Sequence, residues 1–275
     1  MFNKLSLAGL ALASLALGQT AHATPQFTVN ETVVPGSAAF GGSAVVADKL
    51  NGSYNELLTI FAPGNFATQA YGDFTALVNG ATSVGSALGG VFNQTTFASD
   101  QTGNLLQAAQ YRLFFTFEAA GVLSGPGQFT GSTGTFRIWA DPNRNTSALF
   151  GATGSSALTL GNTGDDLLIA SANTVEYGLG NVANPGSFEI VWKDFLLTNF
   201  GKTYFIQPDP FFMRVLVDGD FDAFSPNILG HVLGTQVNYD VRGDVSAVFL
   251  VPEPTSLALA GLALVGLAAL GRRKA

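Results

Sequence analysis

Tyr111-Arg112-Leu113-Phe114-Phe115-Thr116-Phe117-Glu118 decides the fold class. Tyr111, Leu113, Phe115 and Phe117 alternate with Arg112, Thr116 and Glu118, so large apolar side chains recur at every second position. Successive side chains of an extended strand point to opposite faces, and this spacing gives one buried and one solvated face. The pattern recurs on both sides. In residues 129–140, Phe136 and Ile138 stand opposite Arg137 and Trp139; further on, Phe188, Ile190 and Trp192 alternate with Glu189, Val191 and Lys193. Phe211, Met213, Val215 and Val217 share one face of a later strand. Shorter strands fall at 26–34, 45–49, 54–61, 156–160, 167–170, 175–177, 204–206, 237–241 and 245–251, with a longer one at 66–78.

Turn signals punctuate them: Pro35-Gly36, Pro63-Gly64, Asn79-Gly80, Gly125-Pro126-Gly127 and Asp141-Pro142-Asn143-Arg144-Asn145. Asn51-Gly52 reads as a two-residue hairpin, because both central positions tolerate positive φ. Residues 82–103 read as loop with one short strand near Val91. Outside the two termini no segment keeps a 3.6-residue apolar period over three turns, and no repeat or composition break divides residues 24–250. The expectation is an all-β ectodomain, a single jelly-roll-like β-sandwich of roughly twelve short strands.

Composition agrees and narrows the chemistry. The 33 glycines suit a turn-rich β protein better than a helical one, where each interior glycine costs ~1 kcal/mol. Residues 24–250 hold eight basic side chains against eighteen acids, a net charge of −10 that the basic tail masks in the whole-chain value of −7. Such a surface repels nucleic acid. There is no cysteine, and only His231 remains once His22 leaves with the leader. A Ser-His-Asp or Cys-His nucleophile and a zinc site therefore lack their parts, so the chain reads as a non-enzyme without a cofactor. Asp218-Gly219-Asp220-Phe221-Asp222 offers three alternating carboxylates, hard ligands of the kind calcium takes. Ala223 stands where an EF-hand needs glycine and Leu229 where it needs glutamate, which leaves another calcium loop or an ion-free acidic turn. The Asp141–Asn145 run has similar oxygen spacing, but Arg144 interrupts it and an Asx-type turn fits better.

The ends carry a different message. Lys4, the apolar run Leu5 to Leu17 and the small residues Ala21 and Ala23 form a secretory signal peptide over 1–23, cleaved before Thr24. At the other end, residues 251–275 fall into three parts. Pro252-Glu253-Pro254 cannot continue a strand or helix. An uncharged apolar run from Leu257 to Leu270 follows, then Arg272-Arg273-Lys274. Fourteen apolar residues span only ~21 Å as helix, so a transmembrane helix over 255–271 is short and relies on snorkelling basic groups. The three cations act as a stop signal on the cytoplasmic side.

This tail resembles the PEP-CTERM sorting signal. The resemblance implies a transient inner-membrane anchor recognised by an exosortase, cleavage near Pro252–Pro254, and release to the cell surface or extracellular matrix of a Gram-negative bacterium. Asp48-Lys49, Asn51 to Glu56, Gly161 to Asp166, Pro208-Asp209-Pro210-Phe211, Val217 to Asp222 and Gly243 to Phe249 are similar to the flocculation-associated PEP-CTERM proteins. That likeness implies a matrix protein acting with exopolysaccharide in floc or biofilm formation, with no catalytic residues to carry over. The alternative is a secreted carbohydrate-binding module or carbohydrate-active enzyme, with two carboxylates flanking a sugar, or with Trp139 or Trp192 stacking on one.

Overall fold

The alternation at Phe115 belongs to one of five strands of 13–15 residues, longer than the short strands expected. The computed structural model describes residues 25–250 apart from 37–43, 63, 86–87, 89–110, 126–127, 150–156, 182–185, 222–229 and 234–235. In chain order the strands are β1 (Phe27–Val29), β2 (Val45–Ala47), β3 (Lys49–Phe61), β4 (Asn65–Asn79), β5 (Thr82–Val84), β6 (Arg112–Gly125), β7 (Gln128–Asp141), β8 (Ser147–Leu149) and β9 (Thr159–Gly161). There follow β10 (Leu167–Ala172), β11 (Thr174–Asn181), β12 (Gly186–Lys193), β13 (Leu196–Leu197), helix α1 (Asn199–Tyr204), β14 (Phe205–Gln207), β15 (Arg214–Phe221), β16 (Gly230–Leu233) and β17 (Gln236–Leu250).

The all-β expectation holds; the sandwich does not. Antiparallel pairing runs β11-β12-β15-β17-β3-β4-β6-β7, and β7 then pairs with β11 through Gly131↔Gly178 to Gln128↔Asn181. The sheet thus closes on itself as an eight-stranded barrel. Long strands wrap around one core, where two opposed sheets would need frequent crossings between layers.

An eight-stranded barrel is just wide enough to be filled by side chains, and this one is filled by aromatic rings. Phe136 stacks on Trp192 at 5.2 Å, Phe117 lies 6.0 Å from Trp192 and 5.7 Å from Phe188, and Tyr54 meets Phe188 edge-on at 5.4 Å. Outward positions carry Glu118, Thr133 and Glu176, all exposed. Exposed Val122, Tyr177 and Leu179 are interspersed with them on the same wall. Among the described residues no helix is long and apolar enough to cross a membrane; the segment 255–271 lies outside them.

One end of the barrel is plugged by the small sheet β14-β1-β2 and by α1. Phe27 meets Phe205 at 5.5 Å and Phe249 at 5.0 Å, which joins the start of β1 to the end of β17. Thr198 caps α1 by accepting from the Gly201 N–H at 2.9 Å. Under the plug Tyr111 donates to Glu31 at 3.1 Å, and its hydroxyl lies 2.6 Å from that of Tyr204.

Asn51-Gly52 is not a hairpin turn. It lies inside β3 at a bulge opposite Asp73 and Phe74, where a Cβ on Gly52 would come within 1.9 Å of the Asp73 carbonyl oxygen. Glycine is required there for close approach of two backbones rather than for positive φ. Asn79-Gly80 does turn, with Gly80 at φ 63°. Val91 lies outside the described residues; β5 is the strand found nearby. Met213 precedes β15 and is exposed, so it does not share the buried face of Val215 and Val217.

Arg112 departs most from its expected solvated face. It is fully buried, because the β8-β9 hairpin covers the outside of β6 together with Tyr71, Phe114 and Trp139. Its Nε and Nη2 donate to the two oxygens of Asp73, both at 2.7 Å, while Nη1 donates to the Thr146 carbonyl at 2.5 Å. The guanidinium also lies 5.3 Å from the centre of the Tyr71 ring. Removing one partner of such a pair strands the other charge without water. Asp73→Asn is expected to lower the unfolding free energy by about 3–5 kcal/mol, read from urea denaturation, and a loss below 1 kcal/mol would show the pair to be dispensable.

Candidate functional site

Two groups of acids lie on the outside of the barrel. The first forms where β7 ends and β10 begins. Antiparallel pairing sets Ala140 against Leu167, which places Asp141 beside Asp165 and Asp166. Asp141 is fully buried and serves the turn that follows: one oxygen accepts from Arg144 N at 2.6 Å and the other from Thr146 N at 2.9 Å. With Arg144 at φ 59°, this is the Asx-type turn read from the sequence. Asp165 accepts from Asn143 N at 3.3 Å, and Thr146 Oγ1 donates to Asp166 at 2.7 Å.

Each of the three carboxylates offers an oxygen within 4.8 Å of the others. Hard cations such as Ca²⁺ take oxygen ligands of this kind. Burial pushes the Asp166 carboxyl up to about 6; the Thr146 hydroxyl opposes that shift, and the charges of Asp141 and Asp165 add to it. The sequence singled out Asp141 but not its partners, since only the β7-β10 register unites segments some two dozen residues apart.

The second group contains the calcium candidates. Asp218 and Asp220 lie within β15, on its outward face, and not in a loop; Asp222 lies outside the described residues. An extended backbone advances ~3.3 Å per residue and spreads alternate side chains ~7 Å apart. Among the described residues, the three acids that gather are Asp141, Asp165 and Asp166 instead. Asp218 and Asp220 line an open groove with Asn51, Thr75, Asp244 and Ser246. Asp220 accepts from Asp244 N at 2.8 Å, and Ser246 Oγ donates to Asn51 at 2.9 Å. Burial raises the Asp218 carboxyl above its ordinary value, and the nearby Glu189 charge adds to the rise.

The tryptophans are placed for packing. Trp192 is fully buried in the barrel core, and Trp139 is half-buried with its ring stacked on Phe114 at 6.2 Å. Ala21 and Ala23, the tail residues Pro252, Glu253, Pro254, Arg272, Arg273 and Lys274, and the side chain of His231 lie outside the described residues. What is placed is the point of departure of the tail: β17 ends at Leu250, beside Arg214, at the plugged end of the barrel.

An acidic barrel leading directly into a Pro-Glu-Pro, apolar and basic tail defines an exported protein with a C-terminal membrane-anchoring sorting signal. Residues 250–274 match the family model described as the PEP-CTERM protein-sorting motif. The chain thus carries the PEP-CTERM motif and is an exosortase-targeted extracellular protein. The match covers the tail alone, and no curated protein and no solved structure matches the chain.

The Asp166 shift has a definite sign. Its folded-state affinity for a proton exceeds the unfolded one, so its contribution to stability is intact below about pH 4 and is lost as pH rises through about 6. Asp166→Asn keeps an acceptor for Thr146 and carries no charge. The variant is expected to match the parent in thermal unfolding near pH 4 and to exceed it by about 1 kcal/mol at pH 8, after allowance for solvent screening. A difference that did not change with pH would refute the crowding of charge at this site.

Proposed function

We propose that the barrel is a non-enzymatic matrix protein of a Gram-negative bacterium, tethered in the inner membrane, trimmed by an exosortase and deposited with exopolysaccharide to support floc or biofilm formation. The observation that carries this reading is the sorting motif at residues 250–274 on an acidic barrel. The fold suits the processing. Phe249 packs against Phe27, Phe205 and Phe211, so the described core reaches to within a few residues of Pro252. Cutting at Pro252–Pro254 leaves that core whole. Outward acids such as Asp218 and Asp220 then face the matrix, where calcium bridging to anionic polysaccharide gives adhesion without a catalytic step.

A second reading, a secreted carbohydrate-binding module, draws on the polar lining of the Asp218–Asp220 groove, which offers hydrogen-bonding partners to sugar hydroxyls. The buried Trp192 and the stacked Trp139 supply no free ring for it.

Mass spectrometry of the protein recovered outside the cell is expected to find a C-terminus within Pro252–Pro254; an intact Arg272-Arg273-Lys274 end would overturn processing. Deleting the gene is expected to abolish settling of cell aggregates while polysaccharide synthesis continues. Normal flocs in the deletion strain would reject the matrix role.

A further inference from the structure

Inside the barrel one inward position of β3 breaks the apolar lining. Between Tyr54 and Leu58 stands Glu56, only 5% exposed. Thr68 Oγ1 donates to its Oε1, and Oε2 has no hydrogen-bond partner among the described residues. The carboxylate borders a cavity of about 40 Å³ toward the end opposite the plug, walled by Phe117, Phe129, Phe188 and Phe221. Two of the three β11 residues that line the cavity, Gly178 and Gly180, carry no side chain to fill it, and Gly178 pairs with Gly131 across the seam. No lysine, arginine or second acid lines it among the described residues.

A buried carboxylate with an unfilled acceptor needs a donor from outside the protein. Four features favour a cation over a neutral donor. The acceptor is anionic, phenylalanine rings line the space, no cation lines it among the described residues, and the acidic surface concentrates cations near the barrel. A volume of about 40 Å³ is roughly three times the minimum one ordered water requires, so it takes a few heavy atoms and not a large ligand. We propose that this cavity binds a short primary ammonium compound, its nitrogen donating to Glu56 Oε2 and its alkyl stem lying among the phenylalanine rings. This site is separate from the outer acids and does not depend on the matrix role.

Burial pushes the Glu56 carboxyl up to about 7, opposed by the Thr68 hydrogen bond, so the ligand meets an ionised carboxylate at pH 8 and a largely protonated one at pH 5. The test uses the full chain in detergent, with n-propylammonium and the neutral n-propanol as probes, read by thermal unfolding and calorimetry. Saturable stabilisation by propylammonium at pH 8 is expected, with propanol at least tenfold weaker. Glu56→Gln, which keeps an acceptor for Thr68, is expected to lose at least tenfold in affinity. Gly180→Val fills the cavity and is expected to abolish binding, since its added Cβ sits at ordinary contact distance, 3.4 Å from Phe129. No saturable effect on the parent chain, equal binding of propanol, or undiminished binding by Glu56→Gln would each overturn the proposal. Should both variants fail to fold, the comparison of the two probes on the parent chain still decides it.

Discussion

The backbone contact between Gly131 and Gly178 turns a long sheet into a closed surface. A Cβ on Gly178 would sit 3.3 Å from the Gly131 Cα, tighter than most real contacts, and the four rungs from Gln128↔Asn181 to Gly131↔Gly178 form across that seam. Among the described residues closure gives each of the eight wall strands a partner on both flanks, which removes the open edge that an unclosed sheet of these strands would present. It also gives the aromatic residues of β6, β7 and β12 a common interior. The glycines that permit closure withhold side chains from that interior, and the space beside Glu56 is what they leave. One constraint thus gives the barrel both its continuity and the cavity in its interior.

Two buried polar clusters fix how the remaining pieces attach to the wall. Arg112 and Asp73 join β6 to β4 and reach the Thr146 carbonyl, which ties the β8-β9 hairpin and the Asp141 turn to the barrel. At the plug, Glu31, Tyr111 and Tyr204 bring three distant segments to one point. Pairs of this kind add little net stability compared with an apolar core of the same shape, but they penalise any arrangement that separates the partners. Their place at the two attachments favours one packing of hairpin and plug over its neighbours.

What could be read from the chain follows from how local each signal is. Alternation is local, so the strands that carry Phe115, Phe136 and Trp192 are legible without reference to their neighbours in the sheet. The tail is local too, which is why its three parts were legible in order. Closure depends on Gly131 meeting Gly178 across nearly fifty residues, and nothing in either sequence neighbourhood encodes that meeting. Asn51-Gly52 misled because glycine serves two different needs, positive φ in a turn and absence of a Cβ at a bulge, and the dipeptide does not say which. Arg112 looked solvated because the hairpin that covers it starts some 35 residues later. Asp141 was visible as a turn residue, while its acidic neighbours Asp165 and Asp166 arrived only with the β7-β10 register.

The Phe27–Phe249 contact means that both ends of the described chain leave the barrel at the same pole. Any tug transmitted through Leu250 runs along β17, which is laced to β15 on one flank and to β3 on the other. Loaded lengthwise, those two ladders share the strain across many rungs at once, whereas a peeling force would open them singly. Phe249 stands one residue inside Leu250 and packs on Phe27, Phe205 and Phe211, so a pull at that end loads the plug and the barrel core together.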